Sequence, residues 1–212
     1  MATEPASVDA LVADESVSSV LVAVPPEHPE AADACSTLTV VAPTADLATI
    51  GVTLSKSPDD WLDELRSYTD SLPAHVSIVD VGEGTRSTAS DGGQPAPFPN
   101  GPNGTVRTVR SPGNLTQLGV RVTEALDEIA ELESDLTISL CFDSISPLLF
   151  HAETDTVFKF LTVLTGKVSA DDGFGHYHID PGAHEEATVH TLATVFDAAV
   201  EADGDDLIVR TR

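Results

Sequence analysis

Apolar and polar positions follow two rhythms along this chain, and the rhythms take turns. Continuous β-branched and aliphatic runs at 19–24 (SVLVAV), 48–54 (ATIGVTL), 75–81 (HVSIVDV) and 136–142 (LTISLCF) predict strands buried on both faces. Amphipathic stretches separate them. PEAADACSTL predicts a helix after the first strand. In SPDDWLDELRSYTDSL, Ser57 is placed as N-cap and Pro58 at the first helical position, which sets Trp61, Leu62, Leu65 and Tyr68 on one face. A short strand at 106–109 precedes a helix opened by Ser111 and Pro112, with Leu115, Leu118, Val122, Leu126 and Ile129 at helical spacing. A helix over about Thr154 to Val168, a strand over Gly173 to Asp180, a helix over Ala183 to Ala202 and a closing strand in DDLIVRTR complete the pattern. Strand and helix in alternation imply a three-layer α/β fold, a mostly parallel sheet with helices on both faces. With 212 residues, 41% of them hydrophobic, the chain suits one domain over 1–212.

Residues 82–105, GEGTRSTASDGGQPAPFPNGPNGT, interrupt this order. Gly, Pro, Ser and Asn dominate, too little apolar surface to offset the entropy of ordering, so a flexible surface loop is expected there, suited to ordering on a partner.

Charge narrows the function classes. There are 35 acidic residues against 10 basic ones, a formal net charge of -25, and the lysines are Lys56, Lys159 and Lys167 alone. Nucleic acid and anionic lipid are recognised by neutralising phosphates with Lys and Arg, so neither is an expected partner. The acids are spread over helix faces and turns instead of forming a tail, the pattern of a protein adapted to high salt, where the Debye length shrinks to about 3 Å at 1 M.

The chain contains no run of 18 apolar residues, and MATEPASVDA lacks the features of a signal peptide, so a cytoplasmic location is expected. Cys35 falls in a predicted helix and Cys141 in a predicted buried strand, and both are read as reduced fillers. The Asn-X-Thr triplets at Asn103 and Asn114 then have no glycosylation role.

The strand, acid-serine and helix of LCFDSISPLLF, the FKFLTVLTGKV helix, the HYHIDPGAH corner and the ending DAAVEADGDDLIVRTR resemble the second half of RecA/KaiC-like ATPase domains. More closely, SPDDWLDELRS, SPGNLTQLGVRVTEAL, FDSISPLL, VFKFLTVLTGKV and IDPGAHEEATVHTLATVFDAAVE resemble an uncharacterised haloarchaeal family of degenerate RecA-like proteins lacking the Walker A motif. The resemblance implies a RecA-like sheet and places Asp143 and Ser144 where an active relative holds the magnesium of a bound triphosphate. It also implies a protein partner, either a second copy or an active RecA-like ATPase, in a regulatory or scaffolding role. The phosphate loop itself is missing. SVLVAV runs into PPEHPEAADACS, where prolines remove N–H donors, no glycine frees the backbone, no lysine is present, and Glu27 and Glu30 repel an anion. Gly166-Lys167 ends a helix instead of opening one and is no substitute.

A second chemistry rests on histidines. His176 and His178 are two apart on one predicted strand and face the same side, Asp180 follows on that face, and His184 begins the next helix, a set able to bind zinc. No nucleophile elbow, dinucleotide fingerprint or H-E-x-x-H is present. The sequence therefore predicts a non-catalytic protein-binding module with no cofactor. The alternatives are an ATP and magnesium site at Asp143 and Ser144, and a zinc site at His176, His178, Asp180 and His184.

Overall fold

The computed structural model describes residues 7–82, 95–98, 101–132 and 135–212. Among these, the helices are α1 (Val8–Val12), α2 (Ala31–Thr39), α3 (Pro58–Tyr68), α4 (Leu115–Ala130), α5 (Ser146–Leu149), α6 (Thr154–Ala170) and α7 (Glu186–Ala193). The strands are β1 (Ser19–Ala23), β2 (Leu47–Thr53), β3 (His75–Val81), β4 (Ala96–Pro97), β5 (Gly104–Val109), β6 (Thr137–Asp143), β7 (Phe174–Ile179), β8 (Ala198–Asp203) and β9 (Asp206–Thr211). All nine join one sheet in the order β4-β5-β3-β2-β6-β7-β1-β8-β9, parallel except for β4 against β5 and β8 against β9.

The period of two along each strand sorts the core into two layers. Leu21, Ile50, Val79, Leu140, Phe142 and Tyr177 point to one face and pack under α4, α6 and α7. Val20, Val22, Val76, Ile78 and Cys141 point to the other, under α1, α2 and α3. The result is the expected three-layer α/β fold. Local signals act where the sequence places them: Ser57 accepts the backbone N–H of Asp60, Pro58 opens α3, and Trp61, Leu62 and Leu65 are its buried face. Trp61 lies so close over β2 that a Cβ on Gly51 would sit 2.7 Å from its indole ring.

Two readings of the sequence are corrected, and one helix is added to them. The stretch 183–202 is not one helix: α7 stops at Ala193 and Ala198–Asp203 is strand β8. Parallel pairing to β1, Val20 opposite Ala198 through Ala23 opposite Glu201, buries Ala198, Ala199 and Val200 better than a helix would. A two-residue turn then returns the chain into β9, with Gly204 supplying a φ of +68° between the paired Asp203 and Asp206. The helix α1, capped by Ser7 accepting the Ala10 N–H, was not anticipated. Of the segment 82–105 expected to be a flexible loop, residues 95–98 carry β4 and 104–105 begin β5. Residues 101–103 form a bend before β5, and 83–94 and 99–100 lie outside the described residues.

Candidate metal centre

Register, more than sequence proximity, builds the site. β6 and β7 are parallel neighbours with Cys141 directly opposite His176. Side chains alternate, so Cys141 and Asp143 on β6 share a face with His176 and His178 on β7, the face covered by α2. From α2, which packs Leu38 into this layer, Cys35 points down onto the strands. One donor atom from each of Cys35, Cys141, His176 and His178 falls within 4.8 Å of every other. Both cysteines are free thiols, and the cluster is buried apart from the partly exposed His178.

The contacts inside the cluster are loose for hydrogen bonds. Cys35 Sγ stands 3.7 Å from His176 Nε2, and the two imidazole rings are 5.1 Å apart at 77°. His176 Nδ1 and His178 Nε2 are buried without a hydrogen-bond partner. Two thiols and two imidazoles are the donor set of tetrahedral zinc. With Zn–S near 2.3 Å and Zn–N near 2.0–2.1 Å, the edges of such a tetrahedron are about 3.3–3.8 Å, so shifts of roughly an ångström close the group. The residues present fit the metal.

The electrostatics agree with that donor chemistry. Hydrogen bonding from Cys141 and the charge of His178 push the Cys35 thiol well below the ordinary thiol range, although burial opposes this. Cys141, as the donor in that pair and fully buried, is pushed well above it. Burial lowers His176. Burial pulls His178 down, but its interactions with Cys35, together with the charge of Asp143, raise it on balance. Cys35 is thus the thiol that loses its proton more readily, and a cation at the centre would favour the deprotonated form of both sulfurs.

Beside the cluster, a cleft of about 480 Å³ opens at the carboxyl ends of β1, β6 and β7, with Cys35, Cys141 and His178 in its wall. This is where open α/β sheets bind ligands. Asp143 ends β6 here, but its carboxylate is occupied: Oδ2 pairs with Lys56 Nζ at 2.8 Å and Oδ1 accepts from Ser55 Oγ at 3.3 Å. Lys56 also pairs with Glu64, whose other oxygen accepts the Tyr68 hydroxyl at 2.7 Å. These acids raise Lys56 above its ordinary range despite burial. Ser144 turns to cap the next segment, accepting the Ser146 N–H.

The sequence-predicted zinc set is therefore split. His176 and His178 come together, but Asp180 and His184 are not in the donor group. Asp180 Oδ1 accepts the Gly182 N–H in the turn that follows β7, and the His184 ring lies against Phe150 with centroids 5.4 Å apart. The two cluster members that the sequence does not announce are the cysteines. Their signal was present: the chain has two, one in the helix after the first strand and one two residues before Asp143, but only the β6–β7 pairing brings them to the histidines.

Comparison with solved structures gives a likeness of fold. A Pyrococcus horikoshii OT3 protein, solved in the structural study of Project ID PH0250, superposes with a TM-score of 0.55 at 11% identity, over 92% of this chain and 87% of that one. No curated protein matches in sequence. Residues 17–202, which span every element from β1 to α7, all of β8 but its last residue, and all four cluster residues, match the family of unknown function DUF7504, and the chain belongs to that family.

Proposed function

We propose that this chain is a zinc-binding, non-catalytic regulatory module. The observation that carries the reading is the convergence of Cys35, Cys141, His176 and His178, from three separate elements, onto one point. Four protein donors close a tetrahedral site and leave no open position for a substrate, so zinc bound there fixes structure instead of activating water. It would tie α2 to β6 and β7, and so hold the segment that follows β1. In a RecA-like ATPase that segment cradles phosphate. Here Val24 to Glu30 offers Pro25, Pro26 and Pro29 with Glu27 and Glu30, while Asp143 is spent on Lys56. Glu64, Asp143 and Asp180 in the cleft against the single Lys56 disfavour a triphosphate.

The test is metal analysis of protein purified without chelator. The reading expects about one zinc per chain, lost in Cys35→Ser, Cys141→Ser and His178→Ala and retained in His184→Ala. Metal-free protein that does not take up zinc overturns it, as does zinc that depends on His184.

A further inference from the structure

An exposed apolar feature lies on the opposite side of the sheet from the cysteines. Val120 on α4 and Val163 on α6 are 48% and 73% exposed. Between the two helices runs a groove of about 550 Å³ floored by Leu115, Gly119, Phe160 and Leu164. Gly119 lies next to the Phe160 ring, at the distance of ordinary van der Waals contact for a Cβ placed there, 3.6 Å. Nothing in the proposed zinc site touches this face.

We infer that this face pairs with the same face of a second copy of the chain, independently of the zinc reading. Charge argues for that occupant. Two copies at -25 each repel over most of their surface, but along this groove the charges are nearly balanced in pairs: Glu124 with Arg121, Lys159 with Asp155, and Lys167 with Asp127 and Asp171. The net repulsion between like molecules is therefore small along it.

The two helices also complement themselves. Gly119 lies beside Phe160, and Lys167 pairs with Asp127 at 3.3 Å, so α4 and α6 run parallel, with 119 level with 160 and 127 level with 167. A two-fold axis along the groove lays α6 of one copy over α4 of the other at the same height. Lys167 then faces Asp127 of the second copy, and the protruding Val163 meets the small Thr123 and Val120. Each copy presents a knob, a hole, a cation and an anion in matching places, as an isologous interface requires.

The area suffices. α4 and α6 have 16 and 17 residues, so each is about 24–25 Å long, and two helices side by side give a projected footprint of about 500 Å². The two partners together then bury about 1,000 Å², the lower bound of a specific interface.

Sedimentation equilibrium of the intact chain tests the inference. The wild type should dimerise, and more tightly in about 2 M KCl than in 0.1 M, because salt screens the net repulsion while apolar contact persists. Val163→Glu places a charge at a site already exposed in the monomer, so folding should survive, checked by circular dichroism. It should weaken the dimer about 30-fold or more, and Val120→Glu likewise. Phe150→Ser, an equally exposed apolar side chain near the cleft, should leave it unchanged. A wild type monomeric at about 100 μM overturns the inference. So does a dimer that ignores Val163→Glu and Val120→Glu, one that Phe150→Ser dissociates, or one that salt weakens.

Discussion

Adding zinc to metal-free protein should raise its melting temperature, and the size of the rise follows from chain length and linkage. Unfolding entropy near 60 °C is about 2.1 cal/mol/K per residue, or roughly 0.45 kcal/mol/K for 212 residues, so 1 kcal/mol of stability moves the midpoint by about 2 °C. A ligand that binds only the folded state stabilises by about 4.1 kcal/mol at a thousand times its Kd, which gives about 9 °C. The unfolded chain cannot match this affinity, because Cys35 and Cys141 are 106 positions apart and meet the histidines only through β6–β7 pairing. The assay is differential scanning fluorimetry or calorimetry in molar KCl with zinc titrated into chelator-treated protein. Cys141→Ser and His178→Gln should abolish the rise. Asp143→Asn, outside the donor group, should keep it. If the wild type shows no zinc-dependent rise, or the ligand variants show the same rise as the wild type, the reasoning is wrong.

Three further outcomes are expected. With magnesium and ATP in molar salt, phosphate release should stay at background, because no phosphate loop positions the nucleotide; turnover that disappears in Asp143→Ala would contradict this. Gly51→Ala should destabilise by about 1–3 kcal/mol and shift Trp61 fluorescence, since the new methyl would lie 2.7 Å from the indole; wild-type stability would show that Trp61 moves freely. His75, buried at the start of β3 beside Ser77, Glu128 and Arg107, has its pKa lowered by burial and by Arg107 against the pull of Glu128. The unfolded chain then binds the proton more readily, so stability is full above about pH 6.5 and is lost as pH falls through the folded value. His75→Asn should flatten that part of the pH profile, and an unchanged slope would remove His75 from the account.

Most of the fold was legible because long apolar runs and capped amphipathic stretches carry their own signals. Ser57 and Pro58 open α3 where the sequence places them, and the strand over 137–143 ends at Asp143. Ala198 to Ala202 was misread for a physical reason. Alanine and glutamate favour helix locally, but pairing with β1 and the Asp203–Asp206 turn outweigh that preference. The Asp-Gly pair at 203–204 was the available hairpin cue.

The candidate site was half legible. H-x-H on one strand announces two ligands on one face, and both histidines are in the cluster. Strand order is not written locally, so nothing in sequence says that β7 lies beside β6 with His176 opposite Cys141. Proximity in sequence favoured Asp180 and His184 instead, and the turn at Pro181–Ala183 carries them away from the donor group. Lys56 was also missed as the partner of Asp143, because its place depends on β2 lying beside β6, with Thr53 opposite Asp143.

Cobalt substitution tests the central claim most directly. Titrating Co²⁺ into metal-free protein should give saturation at about one ion per chain, with intense d–d absorption from a tetrahedral centre and thiolate-to-cobalt charge transfer from two sulfurs. Cys35→Ser should halve the charge-transfer intensity and His176→Gln should leave it while altering the d–d bands. Weak octahedral absorption without charge transfer, or spectra unchanged when Cys35 and Cys141 are replaced together, would contradict the assignment of Cys35, Cys141, His176 and His178 as one metal centre.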